Sequence, residues 1–228
     1  MIKAQPSLVP LTVDEAWCAR LQGLSLKNVE LTIRDPQKKK SLYCGFGEML
    51  FTHFGISGPL VLTASALLDF ADGGRSYQAF LNLKPALTEE QLIRRLVREI
   101  EAGGAKELPN TLRSLLPARL AEEIAGIASQ DIPQAQSRRA FSLNEKEIEA
   151  LAKRIRQVPM TITGTRGFGE AVVTRGGVST KEIDPHTMQS RRCAGLYFAG
   201  EVIDVDALTG GFNLQIAWST GHLAGSSI

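Results

Sequence analysis

The residues best placed to do chemistry lie between Gly195 and Gly225, in the stretch GLYFAGEVIDVDALTGGFNLQIAWSTGHLAG. Leu196, Tyr197, Phe198 and Ala199 form a short apolar run stopped by Gly200. That is the pattern of a strand covered on both faces in a parallel sheet. Glu201 and Asp204 follow at the carboxyl end of the run, where open α/β sheets place their ligands. A carboxylate there accepts hydrogen bonds from the hydroxyls of a ribityl or ribose chain. Gly210 and Gly211 then open a helix through Phe212, Asn213 and Leu214. A glycine pair at a helix N-terminus exposes orphan N–H groups and the positive end of the dipole. Those donors favour an atom that gains negative charge, such as the pyrimidine side of a reduced flavin. Ala217, Gly221 and Ala224 are spaced to let the helix backbone lie close to a sheet or a ligand. The same spacing also describes a buried strand and helix joined by a glycine-rich connection with nothing bound.

Two further stretches offer functional groups. Thr52–Pro59 (THFGISGP) precedes the apolar run Leu60–Leu68 and reads as a loop entering a helix, with Pro59 in the first turn. His53 and Ser57 are its groups able to handle a proton or a hydrogen bond. They fit either a loop over a reactive ring or a turn whose side chains satisfy backbone groups. Gly176-Gly177-Val178 predicts a tight backbone turn, open to a ligand or serving as an ordinary hairpin.

The elements that position these residues change character along the chain. Up to Pro85 the pattern is mainly of strands. Val29, Leu31 and Ile33 alternate with Glu30, Thr32 and Arg34 before Asp35-Pro36. Lys38, Lys39 and Lys40 make a charged turn. Strands are expected over Ser41–Phe46 and Glu48–His53, split by Gly47, and over Tyr77–Lys84. Helices follow. Thr88 with Gln91 forms a capping box ahead of Leu92, Ile93, Leu96, Val97 and Ile100, and Gly103-Gly104 ends that helix. Pro117 starts another helix, and Ser142 with Glu145 predicts a second capping box before Ile148, Leu151, Ala152 and Ile155. After Pro159, strands return over Met160–Thr163 and Glu170–Thr174, and Asp184–Thr187 reads as a turn.

Composition excludes several classes. The chain has 228 residues, 43% apolar content and a formal charge of +2, enough for a sizeable core and too balanced to point to a nucleic-acid or membrane partner. Arg138, Arg139, Arg154 and Arg156 could serve a helix-turn-helix DNA reader. Acids such as Glu122, Glu145 and Glu149 interleave with them, so a mixed solvated surface is the reading adopted. Cys18, Cys44 and Cys193 suit neither a disulfide framework nor a metal site, and as free thiols they indicate a cytoplasmic setting. No apolar run approaches a membrane span, and Met1-Ile2-Lys3 does not lead into a signal peptide.

The closing stretch resembles the final motif of the YhiN/BaiN-like bacterial flavoproteins, the group that includes aminoacetone oxidase. PSLVPL at Pro6–Leu11, GEMLFTHFGISGP at Gly47–Pro59 and TRGGVSTKEIDPHTMQS at Thr174–Ser190 are similar to that family as well. The resemblance implies an FAD-dependent oxidoreductase of α+β, multidomain architecture. A β-barrel region is expected over 1–86 and an inserted small helical bundle over 87–157. The C-terminal part of a Rossmann-like FAD-binding domain is expected over 158–228. It further implies that Gly200, Glu201, Asp204, Gly210, Gly211, Phe212, Asn213 and Leu214, with Gly177 and Val178, bind FAD. Amine oxidation and enone reduction are both implied for a small organic substrate, with NAD(P)H a possible electron source. Family members begin with a strand, a G-x-G-x-x-G turn and a helix. Here Gly45-Phe46-Gly47 meets Leu50, and Gly167-Phe168-Gly169 meets Val172, where a third glycine belongs. The expectation is therefore the C-terminal part of a longer flavoprotein. Such a chain would associate with itself or with a chain carrying the other half, and the open alternative is a fragment unable to retain FAD alone.

Overall fold

A computed structural model describes residues 1–37, 41–70 and 75–228. The charged turn expected at Lys38–Lys40 lies outside the described residues. The first strands are β1 (Ile2–Ser7), β2 (Leu11–Val13), β3 (Ser25–Arg34), β4 (Ser41–Thr52), β5 (Gly55–Ser57) and β6 (Tyr77–Asn82). Two short helices interrupt them, α1 (Ala16–Arg20) and α2 (Pro59–Ser65). Four helices follow: α3 (Glu89–Gly103), α4 (Leu108–Leu112), α5 (Ala118–Ala128) and α6 (Glu145–Arg156). Strands β7 (Val158–Thr165) and β8 (Val173–Gly177) and a final helix, α7 (Phe212–Gly225), complete the chain.

Six strands close a barrel in the order β2-β5-β4-β3-β6-β7, with β7 returning to pair with β2. The period-two signal in β3 is realised: Val29, Leu31 and Ile33 point into the core while Glu30 and Thr32 stay half-exposed. Phe51 and Trp17 meet edge to face inside, with ring centroids 5.8 Å apart. The fold is thus α+β, a barrel with helices, and the helices α3–α6 are inserted between the neighbouring strands β6 and β7. Their buried faces share one hydrophobic core with the barrel. A strand expected to belong to the closing domain, β7, instead completes the barrel. Alternation reveals a half-buried strand but not its pairing partner.

Other differences have local causes. Gly47 does not split a strand: β4 runs unbroken from Ser41 to Thr52, with Gly47 paired opposite Val29. The second capping box is built by Asn144 and Glu147, not by Ser142 and Glu145. The run SLNEKE carries both spacings. The Ser142 hydroxyl is already engaged in a 3-10 turn, donating to the Arg139 carbonyl at 2.8 Å. The strand expected at Glu170–Thr174 begins only at Val173, because Glu170 closes a turn with Gly167 and its carboxylate accepts from Arg166. Helix α1 went unread, being only five residues long. The box at Thr88 and Gln91, the α3 face and the Gly104 end match the expectation. Among the described residues no helix is long and apolar enough to cross a membrane.

Two outcomes follow from this packing. Cys18 is buried in α1, and burial pushes its thiol far up, whereas Cys44 and Cys193 are exposed. A native titration with a thiol reagent should therefore count two fast thiols, and the third only after unfolding. The Asn144 N–H, and after it Arg138, hold the Glu147 carboxyl below its usual range. That contribution is present above the ordinary carboxyl pKa and is lost as pH falls through the lowered value. Glu147→Gln should cost about 1 kcal/mol near neutral pH. The gap in urea midpoint between variant and wild type should close in acid.

Candidate functional site

The closing segment builds its own small core from Val178, Ile183, Met188, Ile203 and Ala224. Val178 and Ile203 form a single parallel bridge. The Val178 N–H donates to the Val202 carbonyl at 2.8 Å, and the Asp204 N–H to the Val178 carbonyl at 2.9 Å. Gly176 and Gly177 are not a turn but the end of β8, which pairs antiparallel with β1 outside the barrel. Their φ values of 90° and 121° place both in glycine's territory. A side chain at Gly176 would strike the Lys3 carbonyl, and one at Gly177 the Val202 carbonyl.

Leu196–Ala199 is not a strand. Among the described residues Tyr197 makes one bridge with Gln189, and its hydroxyl donates to the Ser227 carbonyl at 2.9 Å. An apolar run becomes a parallel strand only where a neighbouring strand offers a ladder, and here it finds a single residue pair. Gly200 follows with φ 69° and opens a 3-10 turn over Gly200–Val202. Its N–H donates to the Thr220 hydroxyl on α7 at 3.0 Å. Glu201 is exposed, its carboxylate 3.5 Å from the Thr174 hydroxyl, and Asp204 is half-buried.

Helix α7 begins where expected. Gly211 is its N-cap at φ 85°, and the place its Cβ would occupy is open space. The first intrahelical bond runs from the Gln215 N–H to the Gly211 carbonyl at 3.1 Å. The N–H groups of Phe212, Asn213 and Leu214 find no acceptor among the described residues. This end of the helix is therefore uncapped and positive. The Asn213 side chain faces the loop before it: Nδ2 donates to the Ala207 carbonyl and Oδ1 accepts from the Ala207 N–H, both at 2.8 Å. The loop is also tied to the barrel side. The Ser7 hydroxyl donates to Asp206 at 2.6 Å, and the hydroxyls of Thr63 on α2 and Thr209 lie 3.0 Å apart. Leu208, Phe212, Leu214 and Trp218 stand exposed around this end.

His53 lies at the β4–β5 turn, exposed and edge-on to Phe54, over whose ring Arg166 sits at 4.4 Å. Ser57 ends β5 opposite Leu50, two residues before α2. Sequence reading missed Arg175. Its guanidinium donates to Gln5 and to the carbonyls of Ala66 and Leu68 at 2.6–2.9 Å, joining β8, β1 and the end of α2. An isolated arginine in a strand pattern carries no signal of such partners.

A family model described as "HI0933-like protein barrel and H2TH domain" matches residues 5–173, the span from β1 to the start of β8. The chain belongs to the HI0933-like family. This is the YhiN/BaiN-like flavoprotein group that the motifs resemble. A relative from Haemophilus influenzae, named ribosomal RNA dihydrouridine synthase, is 32% identical over all of this chain and 52% of its own length. An Escherichia coli protein of the same name is 32% identical over 96% of the chain. A Clostridium scindens 3-dehydro-bile acid delta(4,6)-reductase is 31% identical over 96%. The chain spans about half the length of these relatives: 52%, 51% and 52%.

The clamp on Ala207 makes a direct test of loop support. Asn213→Ala leaves both Ala207 backbone groups without these partners and should cost about 1–2 kcal/mol. Amide exchange should rise over residues 205–211 and stay unchanged in β3 and β4. Uniform exchange across the chain would contradict this role.

Proposed function

We propose that this chain is the barrel-side part of an FAD-dependent reductase acting on a carbon–carbon double bond conjugated to a carbonyl. The observation that carries the reading is the uncapped, glycine-opened N-terminus of α7, set in a loop tied to both β1 and α2. Its free N–H groups and the empty space at Gly211 suit the electron-accepting face of a flavin. The exposed Glu201 carboxylate suits the ribityl hydroxyls, with Gly200, Asp204, Gly210, Phe212, Asn213 and Leu214 around it. Gly177 and Val178 bring the backbone of β8 up to the same 3-10 turn.

The relatives' names supply the reaction class. Making dihydrouridine adds two hydrogens across the uracil double bond conjugated to a ring carbonyl. Reducing a 3-oxo delta(4,6) bile acid adds two hydrogens to an enone of the same electronic type. Both favour reduction over amine oxidation for this chain. FAD, when bound, would supply the hydride-transfer chemistry, with a nicotinamide nucleotide as the proposed electron source. The chain's own part is proposed to be positioning of the flavin. His53 and Ser57 on the β4–β5 hairpin are the proposed sources of the proton for the neighbouring carbon. The exposed Leu208, Phe212, Leu214 and Trp218 are proposed to pack against the remainder of the FAD-binding domain or a second copy.

Titrating FAD with the chain should quench flavin fluorescence saturably. Glu201→Ala should weaken binding roughly tenfold, the equivalent of about 1.4 kcal/mol. The loaded protein, given NADH or NADPH without oxygen, should add two hydrogens to a conjugated enone or to uridine and leave an isolated alkene unchanged. Absence of quenching overturns FAD binding by this chain's own residues and favours the fragment unable to retain FAD alone. Oxidation of a primary amine in place of enone reduction sinks the reaction class.

A further inference from the structure

A cleft of about 230 Å³ opens where the β1–β8 ribbon meets the end of α2 and the turn after β7. Lys3, Gln5 and Arg175 bring polar groups to it, and Leu68, Phe70 and Phe168 bring apolar ones. Arg175 is held firmly: Nε and Nη2 both donate to Gln5 Oε1, at 3.2 and 2.6 Å, while Nη1 and Nη2 donate to the Ala66 and Leu68 carbonyls. One N–H of Nη1 is left over. With the Gln5 oxygen turned to Arg175, the Gln5 Nε2 amide has no acceptor among the described residues. Lys3 has no carboxylate partner among them either. Three carboxylates lie nearby. Asp69 is 3.8 Å from Arg175 Nη2 and half-exposed, Glu170 is paired with Arg166 at 2.8 Å, and Glu201 faces the Thr174 hydroxyl at 3.5 Å. None of the three lines the cleft. Phe70 stands edge to face with Tyr77, ring centroids 5.2 Å apart, and the Tyr77 hydroxyl bonds both the N–H and the carbonyl of Asp69. The Gly167-Phe168-Gly169 triplet, which fails as a dinucleotide fingerprint, sets an exposed aromatic ring at the same cleft.

Spare donors and a lining without carboxylates select an anion. The two-pronged edge of Arg175 is already spent on Gln5, so only single donors remain. Single donors suit a singly charged carboxylate better than a phosphate, which gains most from a bidentate guanidinium. Phe70 and Phe168 add flat apolar surface against which a ring can stack. The volume lies below the roughly 300–1,000 Å³ of sites for drug-sized ligands, too small for a dinucleotide and sufficient for a single ring.

We propose that this cleft binds a small aromatic monocarboxylate. The carboxylate takes Lys3, the Gln5 Nε2 amide and the spare Arg175 N–H, and the ring rests against Phe70 and Phe168. None of these residues belongs to the set proposed to hold FAD or to deliver the proton, so the site stands or falls apart from the flavin reading.

The test is an NMR titration of the isotope-labelled 228-residue chain with sodium benzoate, with no flavin added. Amide shifts should saturate with a Kd of about 1 mM and centre on residues 3–6, 65–70, 165–168 and 175. Lys3→Gln/Phe168→Ala should weaken binding about tenfold. The control Lys181→Gln/Phe141→Ala makes the same changes outside the cleft and should alter binding less than about twofold. All four side chains are exposed, and the undisturbed amide spectrum of each variant secures the comparison. Benzyl alcohol keeps the ring without the charge and acetate keeps the charge without the ring; each should bind at least about fivefold more weakly than benzoate. No saturable shifts, shifts centred elsewhere, either simpler probe matching benzoate, or equal losses in the two double variants would each overturn the proposal. FAD binding without benzoate binding would leave the flavin reading standing and remove the cleft. Benzoate binding without FAD binding would do the reverse.

Discussion

Closure of the barrel between β2 and β7 is the constraint on which the rest depends. β2 is only three residues long, yet it pairs with β5 on one side and β7 on the other. Without β7 the sheet would keep two open edges and a half-covered interior. Residues about 150 positions apart in sequence must therefore meet, Leu11 opposite Thr165 and Thr12 opposite Gly164. The helices α3–α6 are tolerated between β6 and β7 because those strands are neighbours, so the insertion begins and ends at one rim. Its apolar faces then join the barrel core, and Arg156 donates to the Leu87 carbonyl at 3.0 Å across the base of the insertion.

The same closure delivers the closing segment to its place. β8 follows β7 and pairs with β1, and Arg175 fastens that ribbon to the end of α2. From there the chain holds itself by polar ties more than by burial. Its core has five buried residues, while Asn213, Thr220, Asp206 and Thr209 each take a specific partner. Hydrogen bonds fix orientation at modest net stability. That suits a segment whose large apolar side chains remain outward and whose helix N-terminus stays uncovered. Local order is kept without spending the free N–H donors at the start of α7.

Charge in the bundle is sorted by the fold. In sequence the acids and bases of α3 alternate and sum to little. On the helix, a period of 3.6 gathers Arg94 and Arg98 beside Lys84, which lies two residues past β6, while Glu99 pairs with Arg95 and also feels the charge of Arg98. Elsewhere the interleaved charges do form a solvated, paired surface, as in Arg138 with Glu147 and Arg154 with Asp131. Net charge describes the whole chain, whereas a partner meets a local potential.

Sequence alone determined what depends on near neighbours. The alternation of β3, the cap at Thr88, the apolar faces of α3, α5 and α6, Pro59 at the head of α2 and the glycine start of α7 all arise within a few residues. The family motifs were legible for the same reason, being contiguous. Tertiary structure alone decided which strands pair. It made β7 a barrel strand, left Leu196–Ala199 without a ladder, and turned Gly176-Gly177 from a turn into a point where backbones crowd. It also decided that Arg175 bridges three elements and that Lys84 lines one groove with Arg94 and Arg98. Those outcomes rest on contacts between residues far apart in the chain, and local patterning carries no record of them until the barrel closes.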